Sequence, residues 1–338
     1  MTTPPPRFDH LISMTDRRGT FEHAKLGSPR LEHGYCTDDM ARVLVVATRE
    51  RRRTHEIQGL EAQSIRFLRN AQARDGRYRN RMDRRGRWQD EASLEDCWGR
   101  SIWALGTAAA HADVGWKRRV ATAELGRAAR RRSPWPRAMA YAALGAAELL
   151  SVTPDHRVAR SLLTDAADGM PGRPVSTGWP WPEPRLTYAN AVLPESMIAA
   201  GHRLGRLDLL GHGLDLLGWL LDHESSEGHL SVTPAGGSDP GEPRPAFDQQ
   251  PIEVAALAEA CARAASLDED PRWPRGVAAA AAWFLGDNDG GQPMWDPATG
   301  GCYDGLQAGG VNRNQGAEST LAALATLQHA RHPVTAAA

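Results

Sequence analysis

The residues best suited to chemistry fall in five clusters. They are His33 to Asp39 (HGYCTDD), Glu95 to Arg100 (EDCWGR), Trp179 to Tyr188 (WPWPEPRLTY) running on to Glu195, Phe247 to Glu253 (FDQQPIE), and Asn312 to Glu318 (NRNQGAE). Carboxyl and amide groups stand there beside Trp, Tyr and Phe, with Trp88, Trp295 and Tyr303 in neighbouring stretches. An aromatic ring covers the C–H face of a pyranose, while carboxylates, amides and guanidinium groups take its hydroxyls. Cleaving a glycosidic bond needs two carboxyl groups. One protonates the leaving oxygen and the other attacks or activates water, across about 5 Å or about 6.5–9.5 Å.

Asp38, Asp39, Glu95, Asp96, Glu183, Glu195, Asp248, Glu253 and Glu318 are therefore expected to face one cavity. Asp39, paired with Glu195 or Asp248, is the expected catalytic set. Substrate contacts are expected from His33, Tyr35, Asp38, Glu95, Asp96, Arg100, Trp179, Trp181, Glu183, Tyr188, Gln249, Glu253, Asn314, Gln315 and Glu318. Consecutive residues on a helix point about 100° apart, so only one of Asp38 and Asp39, and one of Glu95 and Asp96, aims fully inward. Taken singly, each acid also suits an ordinary role. Acids in a first helical turn satisfy free N–H groups and the helix dipole, and Ser93 with Asp96 has the spacing of a capping box. Arg42 and Arg100 have the spacing of intrahelical ion pairs. His33 and Cys36 lack a second ligand pair at zinc spacing, and no nucleotide-binding or metalloprotease motif occurs, so no metal or cofactor is expected.

These clusters open alternate helical segments. Helical periodicity is read over 37–53, 58–74, 94–112, 116–132, 135–152, 155–168, 193–205, 207–223, 251–266, 273–286 and 314–331. Tight links alternate with long connections at 75–93, 169–192, 224–250 and 287–313. That alternation gathers the long loops on one face of a series of helical hairpins. A helix at 7–15 pairing with 314–331 completes six hairpins. The expected architecture is an all-α (α/α)6 toroid over residues 1–338, a single domain with little or no β-sheet.

The 338 residues carry 40 basic and 41 acidic side chains, a formal net charge of -1, so no global field favours nucleic acid or an anionic membrane. There is no secretory leader and no span-length apolar run, and four scattered cysteines need no disulfide framework, which reads as cytoplasmic.

The HGYCTDD, EDCWGR, WPWPE, LTYANAVLPE and NQGAEST motifs together resemble a helical-toroid domain of the six-hairpin glycosidase type. The resemblance extends over about residues 8–331. It implies the six-hairpin fold and a glycan-handling role, in a class of bacterial proteins sometimes fused to or encoded near glycosyltransferases. Two positions depart from its pattern: Trp98 stands where His is expected, and Met40 where Asn is.

The leading expectation is an enzyme that hydrolyses, or phosphorolyses, a glycosidic bond of an oligosaccharide with paired carboxylates in a Trp- and Tyr-lined pocket. The alternative is a non-catalytic glycan-binding accessory domain with a glycosyltransferase partner. A sugar epimerase needs paired histidines as bases, and His33 is the only histidine in a motif. A terpene cyclase needs aspartate-rich motifs that Cys36 to Asp39 does not complete.

Overall fold

In the computed structural model, residues 3–171, 178–242 and 246–332 are described. They form twelve α-helices: α1 (Asp9–Ser13), α2 (Thr37–Arg49), α3 (His55–Ala71), α4 (Asp96–His111), α5 (Gly115–Ala128), α6 (Pro136–Val152), α7 (Arg157–Gly169), α8 (Val192–Leu204), α9 (Leu207–His223), α10 (Pro251–Ala265), α11 (Arg272–Phe284) and α12 (Ala317–Arg331). The expected segments are all present, with boundaries shifted by up to four residues. The stretch 50–53 leaves α2 because Glu50 turns extended (ψ 125°), and α3 starts early because Thr54 Oγ1 caps Ile57 N–H. The N-terminal helix shrinks to five residues.

Burial sorts the helices into two rings. α2, α4, α6, α8, α10 and α12 are buried on nearly every side, as their Ala- and Leu-rich sequences require. They touch in that order, and α12 closes on α2. Each pairs with an outer helix: α3, α5, α7, α9 and α11 follow their partners, while α1 lies on α12, which also packs on α11. This is the expected (α/α)6 toroid. Its apolar core runs around the ring, with a second cluster, Phe8, Leu11, Val46, Ile57, Leu60 and Leu324, fastening the chain ends together.

The ring is tightest between α4 and α6. A Cβ added at Gly106 would lie 2.1 Å from Gly145 O, and one at Gly145 would lie 2.1 Å from Ile102 O. Only glycine lets these two backbones meet.

The long connections gather at the N-terminal ends of the inner helices and form a rim. Small antiparallel ribbons brace it: β1 (Ala24–Lys25) with β2 (Ser28–Pro29), β3 (Tyr35–Cys36) with β4 (Arg81–Met82), β5 (Ser225–Ser226) with β6 (His229–Leu230), and β7 (Gly305–Gln307) with β8 (Gly310–Asn312). The β3–β4 pair ties the segment before α2 to the one before α4. Gly34 makes this possible: its φ is +70°, and a Cβ would strike Met82 O at 2.1 Å. Among the described residues, no helix is long and apolar enough to cross a membrane. All four cysteines are free and buried.

Candidate functional site

Inner helices α2, α4, α6, α10 and α12, with the segment leading into α8, contribute to a polar network at the rim. Asp38 and Asp39, in the first turn of α2, turn to different neighbours. Asp38 accepts from Asn80 Nδ2 at 2.9 Å and faces Arg100 Nη1 at 3.2 Å. Asp39 accepts from Arg42 Nη1 at 2.7 Å. The other terminal nitrogen of Arg42 lies 2.7 Å from Glu318 of α12. Two carboxylates gripping one guanidinium are held within about 8 Å of each other. Arg100 of α4 also meets Asp96 at 3.2 Å and lies 5.0 Å over the ring of Tyr141 on α6.

The network continues through Arg137, at the start of α6. It grips both oxygens of Glu183, at 2.7 and 2.8 Å, and donates to the Tyr188 carbonyl and to Asn190 Oδ1. The Tyr188 hydroxyl lies near Asp96, and burial together with that charge pushes its pKa up. Glu253 of α10 accepts the N–H groups of Ala189 and Asn190, which lead into α8. Ala189 has a φ of 45°, a left-handed conformation unfavourable for a residue with a side chain, and Glu253 pins it there.

Burial sets the protonation of this network. Asp39 is 2% exposed. Burial pushes its carboxyl up to about 7 against the opposing pull of Arg42, with Glu318 and Glu22 adding repulsion. Glu253 rises to about 8 through burial and the nearby Glu224, although the two backbone N–H groups oppose the shift. The rim thus holds two carboxyls able to carry protons near neutral pH. Glu318, whose side chain is 45% exposed, faces solvent across Arg42 from Asp39.

A second, deeper layer of charge crosses the barrel towards the C-terminal ends of the inner helices. Arg49 and His329 bracket Glu259, and Arg263 bridges Glu195 and Glu148 at 2.9 Å each, with His111 on Glu148 at 3.0 Å. The arginine and histidine partners hold Glu148 and Glu259 well below the usual carboxylate range despite burial, while burial raises Glu195. Between the two layers is a cavity of only about 40 Å³, lined by Arg42, Trp103, Tyr141 and Glu195 among others. That is room for roughly one water, not for a sugar ring.

The structure thus brings Asp38, Asp39, Asp96, Arg100, Glu183, Tyr188, Glu253 and Glu318 together, and places the other expected site residues elsewhere. Glu195 is held below the rim by Arg263 of α10 and lines the small internal cavity. Asp248 is exposed in its loop, and its carbonyl accepts Ala235 N–H. Glu95 is exposed where it precedes α4, accepting from Ser93 Oγ at 3.4 Å. His33 is exposed beside His23. The Tyr35 hydroxyl is spent on Asp16. Gln249 is buried and binds Asp289 and Trp283, Asn314 fixes Leu26 N–H, and Gln315 fastens Thr299 and Asp296. The indoles do not wall the rim as expected: Trp179 and Trp181 pack on Trp219 of outer helix α9, Trp88 packs on Phe67, and Trp98 is fully buried with its N–H on Ala128 O. Tyr188, 44% exposed, and Tyr141, 6% exposed, are the aromatic rings that meet the arginines of the network.

Arg137, Tyr141, Asn190 and Glu22 were not singled out from the sequence. Arg137 and Tyr141 sit in an otherwise apolar helix opening, where a lone arginine is a usable signal. Nothing local marks Glu22, which reaches the site only because the chain before α2 folds back over it. One ligand atom each of Glu22, Cys36 and Asp39 lie within 4.8 Å of one another, a spacing that could hold a cation. Arg81 on Glu22 and Arg42 on Asp39 already supply positive charge there, which disfavours one.

No family model matches the sequence, and neither does any curated protein. Solved structures share the fold. They include a sugar epimerase from a ruminal bacterium (TM-score 0.71, 13% identity, 96% of this chain and 95% of that one) and the cellobiose 2-epimerase of Bacillus thermoamylovorans (0.72, 10%, 94% of each). A cellulase of C. cellulolyticum matches with a TM-score of 0.59 and 8% identity, over 92% of this chain and 86% of that one. At such identities the likeness is one of fold: the (α/α)6 toroid.

Proposed function

We propose that this protein is a carbohydrate-active enzyme whose site is the rim network, and that it cleaves a glycosidic bond of an oligosaccharide. The observation that supports this most is the meeting of Asp38, Asp39, Asp96 and Glu318, from three different inner helices, around Arg42 and Arg100. Acids that merely capped their own helices would not share guanidinium groups across the ring. The toroids of similar fold named above, a sugar epimerase, a cellobiose 2-epimerase and a cellulase, all act on sugars, which favours the same class of substrate here.

In this reading Asp39, protonated near neutral pH, gives its proton to the leaving glycosidic oxygen. Glu318, across Arg42, attacks the anomeric carbon or draws a proton from the attacking water. Arg42 holds the two carboxyls at a fixed separation. Tyr188 offers the exposed ring against which a sugar face can lie. Neither step needs a metal.

A second reading, sugar epimerisation or isomerisation, has one observation in its favour. His23 and His33 stand edge to face with ring centres 4.9 Å apart, and His23 lies 3.6 Å from Glu22. Two such bases can take a proton from one face of a carbon and return it to the other.

The test is incubation with a panel of neutral and acidic oligosaccharides, with products separated by mass and by isomer. Shorter products that vanish with Asp39→Asn and Glu318→Gln support cleavage. Products of unchanged mass, lost with His23→Ala and His33→Ala, move the assignment to epimerisation. A sugar that raises the melting temperature but is never converted defeats both and leaves a binding domain.

A further inference from the structure

A groove runs down the outer wall between α5 and α7, away from the rim network, with a volume of about 1050 Å³. Arg74, Arg118, Arg119, Arg127, Arg130 and His156 line it, and no carboxylate does. Arg118 and Arg127 are engaged, with Ala112 O and Glu124 respectively. Arg74, Arg119 and Arg130 are exposed and make no side-chain hydrogen bond or ion pair among the described residues. His156 Nδ1 accepts the N–H of Ala159 as the cap of α7. A neutral ring accepting at Nδ1 must carry its proton on Nε2, so the ring's remaining nitrogen is a donor as well.

Concentrated, uncompensated positive charge of this kind is absent from the chain-wide balance of -1. It creates a local field that attracts anions, and guanidinium forks pair with carboxylates two bonds at a time. Arg118 to Arg130 spans roughly 18 Å at the helical rise, so the charges suit a chain carrying acids at intervals rather than one compact anion. Bases of single-stranded nucleic acid need aromatic platforms, and the lining offers no ring except His156. Small side chains, Ala109, Ala123 and Val158, form the groove's apolar part. At one end Arg74 and Arg127 adjoin the connection before α4, where Gly76 packs on Arg127 O, so the groove leads toward the rim.

We infer that this groove binds a linear acidic polysaccharide, a chain bearing uronate carboxylates, and that the substrate acted on at the rim belongs to that class. The inference rests on the rim reading above. Arg74, Arg119 and Arg130 hold the carboxylates outside the reacting sugar, and the His156 N–H and the Thr122 and Thr153 hydroxyls take ring hydroxyls.

The test is titration of the full chain with a fluorescent tetragalacturonate, a neutral cellotetraose, inorganic polyphosphate and a single-stranded oligonucleotide. The acidic tetrasaccharide is expected to bind, more weakly as salt rises. The triple variant R74E/R119E/R130E should lose at least tenfold in that affinity while keeping its melting temperature. The milder R119Q/R130Q should lose less, and Asp39→Asn should bind as the wild type does. The inference is overturned if the acidic sugar does not bind, if the triple variant binds it equally well, or if polyphosphate or the oligonucleotide binds more tightly. Failure of the rim reading shows separately, as an Asp39→Asn protein that still turns sugar over.

Discussion

Gly145→Ala puts the ring itself to the test. A methyl group there would meet Ile102 O at 2.1 Å, Ile102 C at 2.4 Å and Trp103 Cα at 2.7 Å, all backbone atoms of α4. No side-chain rotation relieves such a contact, so α4 and α6 must separate by the better part of an ångström. Overpacking a core costs about 1–3 kcal/mol, and a clash of backbone on backbone belongs at the top of that range. Alanine returns roughly 1 kcal/mol through its better helix propensity. The net expectation is a loss of about 2 kcal/mol, read as a lower midpoint in urea unfolding followed by circular dichroism. Gly59→Ala is the matched control. It adds a methyl group with nothing within 4 Å, inside α3, and should raise stability by up to about 1 kcal/mol. If Gly145→Ala were as stable as the wild type, or moved with Gly59→Ala, the close α4–α6 contact would be wrong. The stacking of Arg100 on Tyr141, which depends on that spacing, would then be wrong too.

Other expectations follow from the charges. Arg263→Met leaves Glu195 and Glu148 buried without their shared partner and should cost about 3–5 kcal/mol in urea unfolding; a loss under about 1 kcal/mol would mean the deep layer is solvated. Glu253 has its folded pKa raised from 4.5 to about 8, so the folded state holds the proton more tightly. Its contribution is therefore complete below 4.5 and is lost as pH climbs towards 8. Glu253→Gln, which mimics the protonated form, should lose less stability than the wild type between pH 5 and pH 9, and parallel curves would refute the assignment. With Asp39 as proton donor, kcat/KM should fall on the alkaline side of about pH 7. A flat profile from pH 6 to pH 9 would remove Asp39 from that role.

Much of the site was legible as residue types but not as a place. Asp38, Asp39, Asp96, Arg100 and Glu318 stood out because acids and arginines at the openings of apolar helices have few reasons to be there. Their convergence was implied by alternating short and long links. The tryptophans misled, because Trp179 and Trp181 lie in a polar loop yet bury their rings on Trp219, a partner nearly forty residues away in the chain. Arg137 escaped because its only signal is one charge in the helix opening Pro-Arg-Ala-Met-Ala, and its partners Glu183 and Asn190 arrive from another hairpin.

The sequence by itself determined the helices, their pairing into six hairpins and the face on which the long loops gather. These depend on local periodicity, capping and link length, which are written within a few turns of chain. Only the tertiary structure decided which acids share an arginine and which carboxyls hold protons. Asp39 and Glu195 open their helices in much the same way, yet one lies at the rim and the other in the closed barrel. Their distant partners make that difference: Asp39 shares Arg42 with Glu318 of α12, whereas Arg263 of α10 holds Glu195, contacts between residues more than sixty positions apart that no local pattern encodes.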